Sequence, residues 1–110
     1  MYRYKANLIR VIDGDTIDAL VDLGFDVWIK KRVRLYGIDT PETRTRDVEE
    51  KKAGKAAMAR LVEILGESNN EFILQSHGVG KYGRCLGTLF IDDTNINMLL
   101  LNEGHAEEYK

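Results

Sequence analysis

Five short segments with the residue pattern of β-strands, separated by turn residues and one long helical segment, limit what this chain can fold into. The strands are predicted over residues 2–12, 16–23, 27–36, 71–76 and 84–91. Asp-Gly-Asp at 13–15 and Gly-Phe-Asp at 24–26 supply the turns between the first three strands. Such short, evenly punctuated strands favour a closed or stacked antiparallel sheet over a helical bundle.

Two helices complete the predicted order of three strands, a helix, two strands and a helix. Apolar residues recur at helical spacing over residues 47–66 and, more briefly, over 95–102, and Gly66 and Gly104 follow as stops. This order favours an α+β, mainly β fold: a five-stranded Greek-key barrel of the OB type with two helices. No linker-like or low-complexity stretch divides the 110 residues, so residues 1–110 are expected to form a single domain.

Charge is distributed unevenly along the chain. The formal net charge is -2, which alone argues weakly against a nucleic-acid partner. Residues 30–60, however, carry ten Lys or Arg against five Asp or Glu, a net charge of +5, and the remaining six basic and thirteen acidic residues leave -7. This segment is either a solvated helix face or a local patch that attracts phosphate.

Targeting and redox signals are sparse. No apolar run approaches the roughly 18 residues of a membrane span, and no signal core follows Met1. We therefore expect no membrane partner, and the location stays open between a cytoplasmic protein and a mature secreted form. Cys85 is the one cysteine, which excludes an internal disulfide and suits a small buried apolar residue. A monomer is the expectation for one domain of this type.

Two aspartates, Asp15 and Asp39, lie at the ends of different predicted strands. Turn residues are often aspartates, and taken singly each fits that structural role better. If the fold brings them together, however, two carboxylates about 4 Å apart repel by roughly 4 kcal/mol at an effective dielectric near 20. Such a pair favours a hard cation with oxygen ligands, Ca²⁺ or Mg²⁺.

Arg34, Glu42 and Arg84 form the second set of candidates. A strand delivers Arg34, and the turn that follows presents Asp39 and Glu42 around Pro41. Two guanidinium groups can grip phosphate oxygens, and a carboxylate within reach can activate or orient water. Residue types and spacing alone fit salt bridges between Arg34 and the nearby acids slightly better than phosphodiester hydrolysis.

Three segments in order resemble the staphylococcal nuclease (thermonuclease) family: residues 11–17, 34–43 and 81–86. Residues 50–57 look like the start of the family's first helix, and residues 97–104 look like its second helix. The resemblance spans nearly the whole chain, and three ordered motifs are far more specific than any one of them. The family is an OB-fold barrel with helices that hydrolyses DNA and RNA with Ca²⁺.

The resemblance implies a role for each matching residue. Asp15 and Asp39 would bind Ca²⁺ through their carboxylates, and Thr40 through its backbone carbonyl. Glu42 would be the carboxylate that activates or orients water. The expected reaction breaks the bond from phosphorus to the 5′-oxygen and leaves 3′-phosphate ends on single-stranded DNA or RNA.

Substrate-holding residues follow from the same motifs. Arg34 and Arg84 would hold the scissile phosphate, and Tyr82, next to Lys81, matches a tyrosine that contacts a nucleotide phosphate. Tyr109 lies near the position of a base-stacking tyrosine; that contact would contribute roughly 1–3 kcal/mol to single-strand affinity.

Three features depart from the family's pattern. The spacing of Tyr109 from Gly104 is one residue short, and longer relatives continue past Lys110 into a third helix. The chain is also acidic overall, so we expect weaker and more salt-sensitive capture of nucleic acid.

A non-catalytic nucleic-acid- or protein-binding OB-fold module is the alternative, because a fold does not fix a function. For Trp28, on the third predicted strand, strand packing and a surface contact are both open.

Overall fold

Eight strands and two helices make up the computed structural model, which describes residues 2–79 and 83–109. The five predicted strands are the long ones. Their bounds are β1 Arg3–Asp13, β2 Thr16–Asp22, β3 Trp28–Leu35, β5 Glu71–Val79 and β6 Cys85–Ile91. The helices are α1 Val48–Gly66 and α2 Ile96–Asn102, and three two-residue strands are β4 Ile38–Asp39, β7 Thr94–Asn95 and β8 Glu107–Glu108.

A closed barrel forms from the five long strands. They pair in the order β3-β2-β1-β5-β6, and the parallel pairing of β3 with β6 closes the ring. Closure leaves no long unpaired edge among these strands, which removes the template for edge-to-edge aggregation. The predicted α+β, mainly β barrel of the OB type with two helices is confirmed.

Alternate side chains of each strand fill the barrel interior. The apolar strand residues that are most deeply buried share one face of each strand: Ile17, Ala19, Val21, Val33, Leu35, Leu74 and Leu89. Leu61 and Leu65 of α1 and Leu100 of α2 are also fully buried in this core. Each such side chain stabilises the fold by about 1.5–3 kcal/mol relative to exposure, and alternation turns the intervening residues outward.

Boundaries differ from the predictions in two ways. β5 continues past its predicted end at residue 76 to Val79, and β4, β7 and β8 are additional strands. Two-residue strands are too short to show a period of two in the sequence. α1 begins where predicted because the Asp47 side chain accepts hydrogen bonds from the backbone N–H groups of Glu49 and Glu50.

Neither described helix has the length and apolar composition that crossing a membrane requires.

Candidate active site

Asp15 occupies the tight turn between β1 and β2 and is buried, with 8% of its surface exposed. Its Oδ1 accepts a hydrogen bond from the Thr16 hydroxyl at 3.0 Å, and its Oδ2 accepts one from the Thr40 backbone N–H at 3.0 Å. The same Oδ2 lies 3.4 Å from Nη1 of Arg34. The carboxylate is therefore held in one orientation by groups from three separate segments.

Arg34 is the second-to-last residue of β3 and lies on its outer face. Its Nη1 donates to the backbone carbonyls of Leu35 and Ile38, at 3.1 and 2.8 Å. Its Nη2 lies 3.2 Å from Oδ1 of Asp39. Only 13% of the Arg34 side chain is exposed, so water screens its ion pair with the buried Asp15 little, whereas the Asp39 carboxylate is 56% exposed and its ion pair is screened more. The guanidinium is thus fixed between two carboxylates.

The pKa of Asp39 is raised by its surroundings in the site. Partial burial and then the negative charge of Asp15 raise the pKa of Asp39, while the Arg34 guanidinium lowers it. Glu107, which pairs with Asp39 across the β4–β8 ladder, adds further negative charge. Two carboxylates and one guanidinium leave a net negative charge, so the cluster is suited to accept a cation.

The oxygen donors around this cluster fit a calcium ion. The Asp15 and Asp39 carboxylates lie within reach of each other, and the adjoining Thr40 is buried with a hydroxyl oxygen that has no hydrogen-bond partner within the described residues. All of these donors are oxygens, which Ca²⁺ prefers. Among the residues at 2–79 and 83–109, no three His, Cys, Asp or Glu side chains cluster as ligands. A cation here would therefore take its further ligands from backbone, water or substrate.

Glu42 is exposed and lines an open cavity of about 350 Å³ together with Asp39, Thr40 and Glu50. Helix α1 sets the position of its backbone. A Cβ atom at Gly54 would lie 2.6 Å from the Pro41 carbonyl oxygen and 2.7 Å from that of Glu42, distances that real Cβ atoms do not reach. The glycine thus lets the helix press directly against the loop that carries Glu42.

Arg84 directly precedes β6. β6 runs parallel to β3, with Cys85 opposite Val33 and Leu86 opposite Arg34, so Arg84 directly precedes the strand that neighbours β3. Arg84 is half-buried there and interacts with other groups of the chain. Barrel closure thus brings the backbone of Arg84 close to the strand that carries Arg34. Lys81 and Tyr82 lie outside the described residues.

Tyr109 lies beside the site, where its ring centroid is 5.3 Å from Cζ of Arg34. Its backbone N–H donates to the Gly37 carbonyl at 2.9 Å, and 62% of its surface is exposed. A cation–π contact of this kind contributes about 0.5–1 kcal/mol at an exposed position. The ring therefore already packs over the guanidinium, and its stacking on a base stays a prediction.

Comparisons with known proteins identify the family of this chain. Residues 32–110 match the model of the family described as staphylococcal nuclease homologue. The chain belongs to this family. It is 38% identical to a thermonuclease from Staphylococcus intermedius over 97 residues, which is 88% of this chain and 55% of that protein. It is 31% identical to a micrococcal nuclease from Shigella flexneri over 116 residues, which is 97% of this chain and 59% of that protein.

A protein called ParB from Escherichia coli is 30% identical over 115 residues, 96% of this chain and 58% of that protein. The chain thus spans somewhat more than half the length of these relatives of the staphylococcal nuclease family.

Sequence reasoning missed two features of this staphylococcal nuclease homologue site. Gly54 gave a signal that could have been used, since a glycine inside a helix costs about 1 kcal/mol relative to alanine and needs a packing reason. Glu107 gave none, because it reaches Asp39 only through the short β4–β8 pairing.

Proposed function

We propose that this chain is a Ca²⁺-dependent nuclease that hydrolyses phosphodiester bonds of DNA and RNA and leaves 3′-phosphate ends. The observation that carries the proposal is the placement of Arg34 between Asp15 and Asp39, beside the unpartnered Thr40 hydroxyl. A guanidinium held between two carboxylates makes a site that can take an anion and a cation together. Family membership supports the same chemistry.

The arginines would bind the scissile phosphate. Arg34 lies on β3 and Arg84 directly precedes the neighbouring strand β6, so a phosphate between them could accept hydrogen bonds from both. Their positive charge stabilises the additional negative charge on the phosphoryl oxygens as the water oxygen bonds to phosphorus. The ion pairs of Arg34 with Asp15 and Asp39 hold its guanidinium in place beforehand.

Glu42 would accept the proton of the attacking water. It lines the cavity beside Asp39 and Thr40 and is exposed, so it can reach a water molecule there. The new bond joins the water oxygen to phosphorus, and the bond from phosphorus to the 5′-oxygen breaks. The leaving oxygen then takes up a proton, and a 3′-phosphate remains.

Asp15, Asp39 and the Thr40 backbone carbonyl would hold calcium, and calcium, when bound, supplies positive charge beside the phosphate oxygens. The proposed single-stranded substrates carry phosphates that the basic residues of β3 would attract: Lys30, Lys31, Arg32 and Arg34.

A digestion assay tests this function. Purified protein is incubated with plasmid DNA, single-stranded DNA and RNA, in calcium and in chelator. We expect digestion in calcium only, with 3′-phosphate ends detected by end-specific labelling. Arg34→Ala and Arg84→Ala should each lower the rate by on the order of 10²–10³, as removal of one transition-state donor does in other enzymes.

Lys52→Ala, on the exposed side of α1, is the matched control and should keep the wild-type rate. Folded wild-type protein that binds single-stranded DNA in calcium without forming products would instead support the non-catalytic binding module.

A further inference from the structure

The hairpin between β2 and β3 exposes large apolar side chains that neither the core nor the candidate active site uses. Five of the exposed large apolar residues fall within seven positions at its tip: Leu23, Phe25, Val27, Trp28 and Ile29. Phe25 is fully exposed, and 44% of Trp28 is exposed. Clustered exposure of this kind marks an interaction surface, whereas single exposed apolar residues need no explanation.

A row of side chains on the outer face of β3 connects this tip with the candidate active site. β3 pairs with β2 in unbroken register from Trp28 to Arg34, so every second residue points outward. The row is Trp28, Lys30, Arg32 and Arg34, while Val33 and Leu35 point into the core. Six residues of strand put about 20 Å between Trp28 and Arg34.

Arg32 of this row and Arg10 of β1 are held in place by one buried acid. Only 1% of Asp18 is exposed, and its carboxylate accepts hydrogen bonds from Nε of Arg10 at 3.0 Å and Nε of Arg32 at 2.9 Å. Both arginine side chains are about half exposed, at 62% and 48%. Among the described residues, Arg10 is bonded to Asp18 through Nε, which leaves its terminal Nη groups open to a phosphate.

Trp28 borders a cleft of about 350 Å³ on the same outer surface. Lys5, Ile73 and Phe90 line the cleft as well, and the Arg3 guanidinium lies 4.6 Å from the centroid of the Phe90 ring. Aromatic rings with interleaved cations form the type of platform on which unpaired bases stack.

We propose that the outer face of β3 is an extended subsite for a single nucleic-acid strand, which runs from Arg34 to a base stacked on Trp28. Lys30 and the Arg10–Arg32 pair contact the intervening phosphates. This inference rests on the proposed function and names its substrate class: unpaired strands several nucleotides long. A site of about 4 nucleotides or more is usual for one OB fold.

The row of cations that continues along β3 favours nucleic acid over other occupants. A membrane surface would account for the apolar tip and its neighbouring Lys30 and Lys31. It does not account for the ordered cations that continue along the strand to Arg34, since these lie on the barrel wall, about 20 Å from the tip.

Trp28 makes the proposal directly measurable because it is the one tryptophan of the chain. In chelator, where the proposed function predicts no cleavage, oligothymidylates of about 2, 4, 8 and 12 nucleotides are titrated into the protein. We expect saturable quenching of Trp28 fluorescence by the longer strands and little by the dinucleotide. Inorganic polyphosphate, which cannot stack, should leave the emission unchanged.

Cleavage provides the second readout. In calcium, kcat/KM for the longest strand should exceed kcat/KM for the dinucleotide at least about tenfold. Trp28→Ala should lower this ratio about tenfold by raising KM for the longest strand, since one stacked base is worth about 1–3 kcal/mol. Tyr2→Ala removes another exposed aromatic away from this face and should leave the ratio unchanged.

Three outcomes would overturn the subsite. One is unchanged fluorescence with every oligonucleotide in a protein that cleaves them, and another is an unchanged length ratio in Trp28→Ala. The third is a blue shift with anionic phosphatidylserine vesicles but none with oligonucleotides, which would assign the tip to membranes. If the protein cleaves nothing in calcium, the proposed function fails, whereas quenching by long strands would still support the subsite.

Discussion

Arg34 shows how one side chain can be both an ion-pair partner and a candidate phosphate ligand. The structure confirms the contacts of Arg34 with nearby acids, at 3.4 Å to Asp15 and 3.2 Å to Asp39. Those contacts still leave the site with a net negative charge, because two carboxylates lie beside one guanidinium. At this scale the two interpretations that the sequence left open are compatible, and the roles of the individual residues stay proposals.

Asp18 leads to a prediction about acid stability. The hydrogen bond and charge of Arg32, followed by those of Arg10, lower the pKa of Asp18 from 3.8 to about 2, against the opposing effect of burial. A carboxyl whose pKa is lowered by folding stabilises the protein above its unfolded pKa, and that stabilisation is lost as the pH falls from about 4 to about 2.

Both arginines are about half exposed, so solvent screening limits the stabilisation to roughly 1–2 kcal/mol. Asp18→Asn should therefore unfold at lower urea concentration than the wild type at pH near 6, and the difference should shrink near pH 2. Asp93→Asn, at an exposed turn position, should match the wild type at both pH values. A difference between Asp18→Asn and the wild type that does not depend on pH would contradict the assigned ion pairs.

Helix α1 acts as the support of the Glu42 loop, and Gly54 is where the two meet. Gly54→Ala would force a Cβ atom into the carbonyl oxygens of Pro41 and Glu42, so the helix or the loop must shift. We expect a loss of stability of about 1–3 kcal/mol, typical of overpacking, and at least a tenfold loss of nuclease rate as Glu42 moves. Urea unfolding and the digestion assay measure the two effects.

Gly66→Ala is the matched control, since it places the same methyl group in the same helix where no atom lies within 4 Å. It should gain up to about 1 kcal/mol from helix propensity and keep full activity. A Gly54→Ala variant with wild-type rate would show that the helix contact does not position Glu42.

Elements long enough to show a period could be predicted from the sequence, and shorter ones could not. The five long strands and both helices could be predicted because each is long enough for apolar residues to recur at strand or helical spacing. β4 and β8 were missed because each has two residues, and their pairing is fixed by the path of the whole chain. That pairing puts Glu107 opposite Asp39, so a feature without any sequence signal changes the charge of the site.

Barrel closure is the step that joins distant residues into one site. Asp15, Arg34 and Asp39 lie within one third of the chain, but the backbone of Arg84 comes near Arg34 only through the parallel pairing of β3 with β6. Periodicity predicts strands but not which strands become neighbours, so the pairing came from fold type and resemblance. The fold also separates the basic residues of the segment 30–60, whose net charge is +5. Some of them lie on β3 and others on the exposed side of α1.

Calcium should stabilise the whole molecule if Asp15 and Asp39 hold it. A ligand at 100 times its Kd adds about 2.7 kcal/mol to the free energy of unfolding, and for a domain near this size that raises Tm by on the order of 10 °C. Thermal unfolding followed by circular dichroism, in calcium and in chelator, measures the shift. Asp39→Asn should abolish it because the variant loses one of two charged ligands. Asp26→Asn, at the tip of the β2–β3 hairpin, has the same change of charge far from the site and should keep it. Equal calcium shifts in Asp39→Asn and the wild type would place the cation elsewhere.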